Sequence, residues 1–167
     1  MKWLTVLCII VSLCFSASSV YADGQEYAAK YGIILDNCYE FSTTDELLDE
    51  CSGRMLAPCI DIEGSDGGGI VTRNCIGAET IVWDKYLNLE YRETITVLRE
   101  FPGDFDHALR EAQRAWITFR DAECQFGDPI NHGGTAELLA IISCFHAMTV
   151  ERTIELRELR EHLRSFL

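Results

Sequence analysis

The sequence predicts an all-α fold: an antiparallel bundle of three long helices, with two shorter N-terminal helices packed on it and disulfide-stabilised. Apolar residues recur at three- and four-residue intervals over three long stretches after residue 70, the period of helices with one buried face. Short breaks at Phe101-Pro102-Gly103-Asp104 and across Gly127–Gly134 separate these stretches, and short connections favour antiparallel neighbours. No segment shows the sustained alternation of a strand.

Taken in order, the chain opens with Lys2 and the apolar run Leu4–Phe15, followed by Val20-Tyr21-Ala22. This is the pattern of a secretory signal, with residues 1–22 removed and Asp23 starting the mature chain. The run is too short to span a bilayer, so no membrane span is expected. Leu13 is bulky where a lipoprotein site at Cys14 would need a small residue. Residues 23–75 form a cysteine-bearing segment of two helices and a loop, expected to pack with residues 76–167 as one unit. The first helix is expected over Glu26–Tyr39, where Tyr27, Tyr31, Ile34, Leu35 and Cys38 keep helical spacing. The second enters at Thr43 with Glu46 three residues on, a capping-box pattern, and stops near Cys51. Residues 52–71 carry Pro58, Gly64 and Gly67-Gly68-Gly69 and read as an irregular loop.

The long helices follow. Trp83, Leu87, Tyr91, Ile95 and Leu98 mark the first, from about Val71 to Glu100. Asp104 is placed to cap the second, which runs to about Phe126 with Phe105, Ala108, Leu109, Ala112, Trp116 and Phe119 as its expected buried stripe. The third runs from about Thr135 to Leu163. After Leu156 it becomes highly charged and is expected to project into solvent.

The charge balance narrows the partners. The chain has 27 acidic and 14 basic residues, a net charge of −13. Nucleic acid and anionic membranes would be repelled, so the charge favours a cationic protein partner or none, acidity then serving solubility alone. Six cysteines remain after the signal: Cys38, Cys51, Cys59, Cys75, Cys124 and Cys144. An even number in an exported chain implies disulfides, which places the protein in the periplasm or outside the cell. Cys124 and Cys144 flank one turn and are expected to bridge. Cys51 with Cys59 would close a short loop and leave Cys38 for Cys75, one of 15 connectivities open to six cysteines.

Arg152 is the anomaly of the last helix, because it falls on the stripe of Phe145, Met148, Leu156 and Leu159. A guanidinium on a buried face needs a carboxylate or carbonyls, and Asp121 and Asp84 are the natural candidates. With Asn88, Tyr91, Gln113, Trp116 and Arg120 they form a candidate polar network inside the bundle. His107, His132, His146 and His162 lack metal-ligand spacing, and Asp61, Glu63 and Asp66 do not follow a calcium-loop pattern. No metal or cofactor is expected. No Ser, Thr or Cys sits in a nucleophile motif, so the reading is a protein-binding domain and not an enzyme, with an envelope protein of structural or small-ligand-binding role as the alternative.

One set of residues carries a resemblance: Trp83-Asp84, Leu87-Asn88 and Tyr91; then Ala112-Gln113-Arg114-Ala115-Trp116, Phe119-Arg120-Asp121 and Cys124; then Gly133-Gly134, Cys144, Met148-Thr149, Arg152 and Leu156. Over roughly residues 75–160 the chain resembles the LprI-like lysozyme-inhibitor family of exported bacterial proteins. The resemblance implies a small helical domain that blocks lysozyme. Lysozymes of the c type are commonly cationic, and an acidic chain would meet them by electrostatic steering. Steric block of the cleft would fall to an exposed loop. The two candidate loops bring forward Asp61, Glu63 and Asp66 in one, and Asn131 and His132 in the other.

Overall fold

The computed structural model describes residues 24–64, 69–126 and 133–167, and all regular structure among them is helical. The signal segment 1–22 lies outside the described residues, as do Asp66, Asn131 and His132. Helix α1 covers residues 24–41. It is followed by α2 (Asp45–Asp49), α3 (Leu56–Glu63), α4 (Ile70–Leu98), α5 (Phe105–Phe126) and α6 (Thr135–Arg164). Helix α2 starts at Asp45, one residue later than a cap at Thr43 requires, and its first bond runs from Leu48 N–H to the Thr44 carbonyl.

Helix α3 corrects the reading of residues 52–71 as irregular. Pro58 falls in the first turn of that helix, where its missing N–H has no intrahelical role. Gly64 ends the helix at φ 91°, a left-handed value that a side chain would strain.

Helix α4 is the axis of the molecule. Cys75, Ala78, Val82, Trp83 and Tyr86 face Tyr31 and Leu35 of α1 and Leu48, Cys51, Met55 and Cys59 of the α2–α3 segment. Lower down, Leu87, Ile95 and Leu98 pack with Leu109 of α5 and Leu156 of α6. The contact pairs fix the helix senses. Glu79 meets His146, Glu90 meets Arg160 and Glu93 meets Arg164, advancing together along α4 and α6. Cys124 pairs with Cys144 and Gln113 with Arg152, so α5 runs against α6. The most extensive packing therefore joins the first and third long helices, which are not chain neighbours.

The Cys124–Cys144 bridge forms as expected, at a sequence separation of 20. The other two pairings differ from the expected ones: Cys38 bonds Cys51, and Cys59 bonds Cys75. The reason is helix α3. It separates Cys51 from Cys59 and turns Cys59 towards α4, while the 42–44 connection folds α2 back beside Cys38. Each closed loop is worth about 3 kcal/mol in the chain-entropy account.

The charged end of α6 also departs from expectation, because it packs against the rest of the fold. Arg157 donates to the Ser42 carbonyl. Arg160, with a side chain only 13% exposed, lies 2.7 Å from Glu90 Oε2 through an Nε whose N–H is not aimed at that oxygen. Tyr39 donates to the other Glu90 oxygen. One buried carboxylate thus gathers α1 and α6 onto α4.

Glu79 does the same at the upper end. Its Oε1 accepts from the Gly53 N–H at 2.6 Å and the Trp83 indole at 3.3 Å, and lies 3.2 Å from His146 Nε2. Gly53 makes this possible at φ 82°, where a residue with a side chain would be strained. Glu79→Ala would leave the buried Trp83 indole and the half-buried Gly53 N–H without their acceptor and is expected to cost about 2–4 kcal/mol in urea unfolding, with Glu79→Gln recovering part of the loss.

At the α1–α4 seam, Lys85 and Tyr86 both donate to Asp36. Burial alone would raise the Asp36 carboxyl, but the two hydrogen bonds outweigh it and hold it below its ordinary value. The unfolded chain therefore takes up this proton first. The contribution of Asp36 is present above pH about 4 and is lost as pH falls through the lowered folded value. Asp36→Asn is expected to flatten the acid limb of a plot of stability against pH, measured by urea midpoints from neutral pH downward.

Candidate functional site

Helix α5 meets the rest of the fold along Leu109, Gln113, Trp116, Arg120 and Cys124. This is one register away from the expected stripe. Phe105, Ala108, Ala112 and Phe119 are exposed, and a glutamine and an arginine take inward positions in their place. The apolar surface of α5 is wider than one buried face, and the inward side was won by the residues that can bond to α6.

Those bonds centre on Trp116. The Arg120 guanidinium lies 5.1 Å from the Trp116 ring and 5.4 Å from the Phe145 ring of α6, between the two. Arg152 of α6 approaches Trp116 at 5.9 Å. Such cation–π contacts contribute about 0.5–2 kcal/mol each, more where water is excluded. Arg152 Nε donates to Gln113 Oε1 at 3.0 Å, and its Nη1 donates to Glu155 at 2.8 Å. The expected carboxylates Asp121 and Asp84 are therefore not its partners. Asp121 is held by Arg120 one residue away, and Asp84 accepts from Asn88 one turn on. Each charge is satisfied by a neighbour on its own helix, Glu155 for Arg152, Arg120 for Asp121 and Asn88 for Asp84, and across the helix pair Arg152 meets the Gln113 amide and the Trp116 ring.

Between α4 and α5 these residues leave a cleft of about 200 Å³. Asp84, Leu87, Asn88 and Tyr91 line it from α4, and Arg110, Gln113, Arg114, Trp116, Ile117 and Arg120 from α5. Asp84 and Asn88 are exposed, Tyr91 and Trp116 are half-buried, and Gln113 is buried. The cleft thus brings together six of the eight residues expected to form the polar network. Asp121 and Arg152 lie beyond its lining. Its arginines are neutralised: Arg110 by Asp106 at 2.8 Å, Arg114 by Glu111 at 2.5 Å and Arg120 by Asp121 at 2.9 Å. It offers hydrogen bonds and a ring face to a small polar group without a net positive field.

A second concavity, about 440 Å³, lies between the α2 region and α6. Asp49 and Ser52 form one wall, and α6 supplies His146, Ala147, Val150, Glu151, Ile154, Glu155 and Glu158. Its lining has four carboxylates and no Lys or Arg, around an apolar strip of Ala147, Val150 and Ile154. Sequence reasoning missed this groove. The i, i+4 and i+7 spacing of Glu151, Glu155 and Glu158 was visible, but nothing in the sequence placed Asp49 opposite them.

Of the residues expected in exposed binding loops, Asp61 is exposed on α3. Glu63 is instead engaged by Lys30 at 2.7 Å and Tyr31 at 2.5 Å, and those bonds hold its carboxyl below the usual range. Among the described residues, no group of three or more His, Cys, Asp or Glu is arranged to hold a metal ion. No described helix is long and apolar enough to cross a membrane.

These features define a disulfide-bridged helical domain with a polar cleft at one helix pair and an acidic groove at another. Residues 62–156 match the family described as Lysozyme inhibitor LprI, and the chain belongs to that family. It is also similar to an uncharacterised protein of Rhizobium meliloti (strain 1021), at 35% identity over 88 residues, which cover 47% of this chain and 63% of the relative. The chain thus spans less than two thirds of that relative's length. No solved structure matches it.

Trp116→Ala would remove the ring that seats both guanidiniums and is expected to cost about 2–4 kcal/mol in chemical unfolding. A double-mutant cycle on Gln113→Ala and Arg152→Ala should give a coupling of about 1–2 kcal/mol, since each removes the other's partner.

Proposed function

We propose that this protein is an exported inhibitor that binds a basic lysozyme and blocks its substrate cleft sterically. The observation that carries the reading is the family match over residues 62–156. Three disulfides suit an oxidising compartment, which is where such a target would be met. The net charge of −13 supports steering of a cationic partner, which raises association rates more than it raises affinity.

Of the described surfaces, the groove between the α2 region and α6 best suits a basic partner. Its acidic rim can pair a lysine or arginine, and the strip at Ala147, Val150 and Ile154 can cover the alkyl stem. The segments 61–69 and 127–134 are the alternative points of entry into an enzyme cleft. The cleft at Trp116 is read as support for the fold.

The direct test is a cell-wall clearing assay with purified oxidised protein and lysozymes of several types. Inhibition is expected with a basic lysozyme, weakening as salt rises. The triple variant Asp49→Asn, Glu151→Gln, Glu158→Gln is expected to weaken inhibition about tenfold or more while leaving the unfolding midpoint within a few degrees. Absence of inhibition at low salt and micromolar excess would refute the proposal.

A further inference from the structure

The outer side of α5 carries a feature that neither cleft uses. Phe105, Phe119 and Phe126 are 53%, 57% and 75% exposed. Ala108, Ala112, Ala115 and Ala122 are exposed with them. These seven positions alternate three and four residues apart along the whole helix, which is the spacing of a coiled-coil seam. None carries charge, in a chain with 27 acidic residues. The α5 residues that line the Trp116 cleft are not among them. A helical seam of this kind is matched by another helix.

We infer that the seam is a homodimer interface, in which α5 of one protomer packs antiparallel against α5 of its partner about a two-fold axis at Ala115. The argument is self-complementarity. In that register Phe119 of each copy meets Ala112 of the other, Ala108 meets Ala122, and Phe105 meets Phe126 at each end. Large side chains face small ones near the middle, and alanines meet at the axis, where the helices approach most closely. A parallel pairing would instead set Phe against Phe and Ala against Ala, and the rings would hold the alanines apart. A two-fold arrangement uses the same patch on both copies and closes at two.

The area suits a reversible dimer. Helix α5 has 22 residues, or about 33 Å of length. Its three half-exposed phenylalanines leave on the order of 300 Å² uncovered. With four alanines and the flanking stems, the seam approaches the lower end of a standard interface, about 600–800 Å² per partner. Each copy carries −13, so screening favours the pair. Dimerisation therefore strengthens with salt, whereas capture of a basic enzyme weakens with it, and the two readings stand or fall separately.

Sedimentation velocity on the purified oxidised protein over roughly 1–500 µM tests this directly. A monomer–dimer equilibrium is expected, tightening between low and moderate salt. Phe119→Glu, an exposed position, should raise the dimer dissociation constant roughly 30-fold or more with an unchanged helical circular-dichroism spectrum. Independently, Ala115→Cys should be joined into a covalent dimer by a short bismaleimide, while Ile117→Cys, on a different face of α5, should not. A monomer throughout, assembly beyond two copies, a dimer indifferent to Phe119→Glu, or equal cross-linking at residues 115 and 117 would each overturn the inference.

Discussion

Two buried carboxylates on α4 organise this fold. Glu79 and Glu90 are 1% and 2% exposed, and they stand about three helical turns apart on one side of α4. A carboxylate in the interior is costly unless it is paired, so each position dictates what must lie opposite. Each is met by a nitrogen from α6, His146 for one and Arg160 for the other. Each is also met from the N-terminal third, by the Gly53 N–H and the Tyr39 hydroxyl. The same two groups therefore set the register of α6 on α4 and fix where Tyr39 of α1 and the turn at Gly53 meet α4. Apolar packing supplies most of the burial, but Leu, Val and Met tolerate sliding by a turn far better than an ion pair does.

That logic explains what was legible in the sequence. The long helices were readable because α4, α5 and α6 each keep apolar residues at helical spacing across more than twenty residues, with Gly and Pro at the breaks. Helix α3 was not, because Pro58 and the neighbouring glycines resemble a loop until the proline is seen in a first turn. The pairing of Cys38, Cys51, Cys59 and Cys75 followed from α3 and was misread with it. Helix α5 shows a different limit. Its apolar surface is broad enough to contain two seams, and periodicity alone cannot say which one faces inward. The contacts of Gln113 and Arg120 with α6 decide it, and those depend on Arg152 and Phe145, 39 and 25 positions further along the chain.

The residues that carry the resemblance act in the fold through comparable contacts. Trp116, Arg120, Gln113 and Arg152 form a cation–aromatic cluster that seats α5 on α6. A fold that lays one helix at the edge of a tight pair needs such an attachment, since α5 shares far less surface with its neighbours than α4 and α6 share with each other. The motif is therefore legible as architecture. The acidic groove, by contrast, is assembled from Asp49 and α6 through tertiary placement, and no short motif announces it.

The order of the three bridges has a consequence for how the protein is made. Cys38 joins Cys51, Cys59 joins Cys75 and Cys124 joins Cys144, so the rings are consecutive and none encloses or crosses another. In an oxidising space, a chain emerging N-terminus first would bring each of these six cysteines to its partner before the next of them arrives. Oxidation in order of emergence would then give this set of bridges without exchange between them.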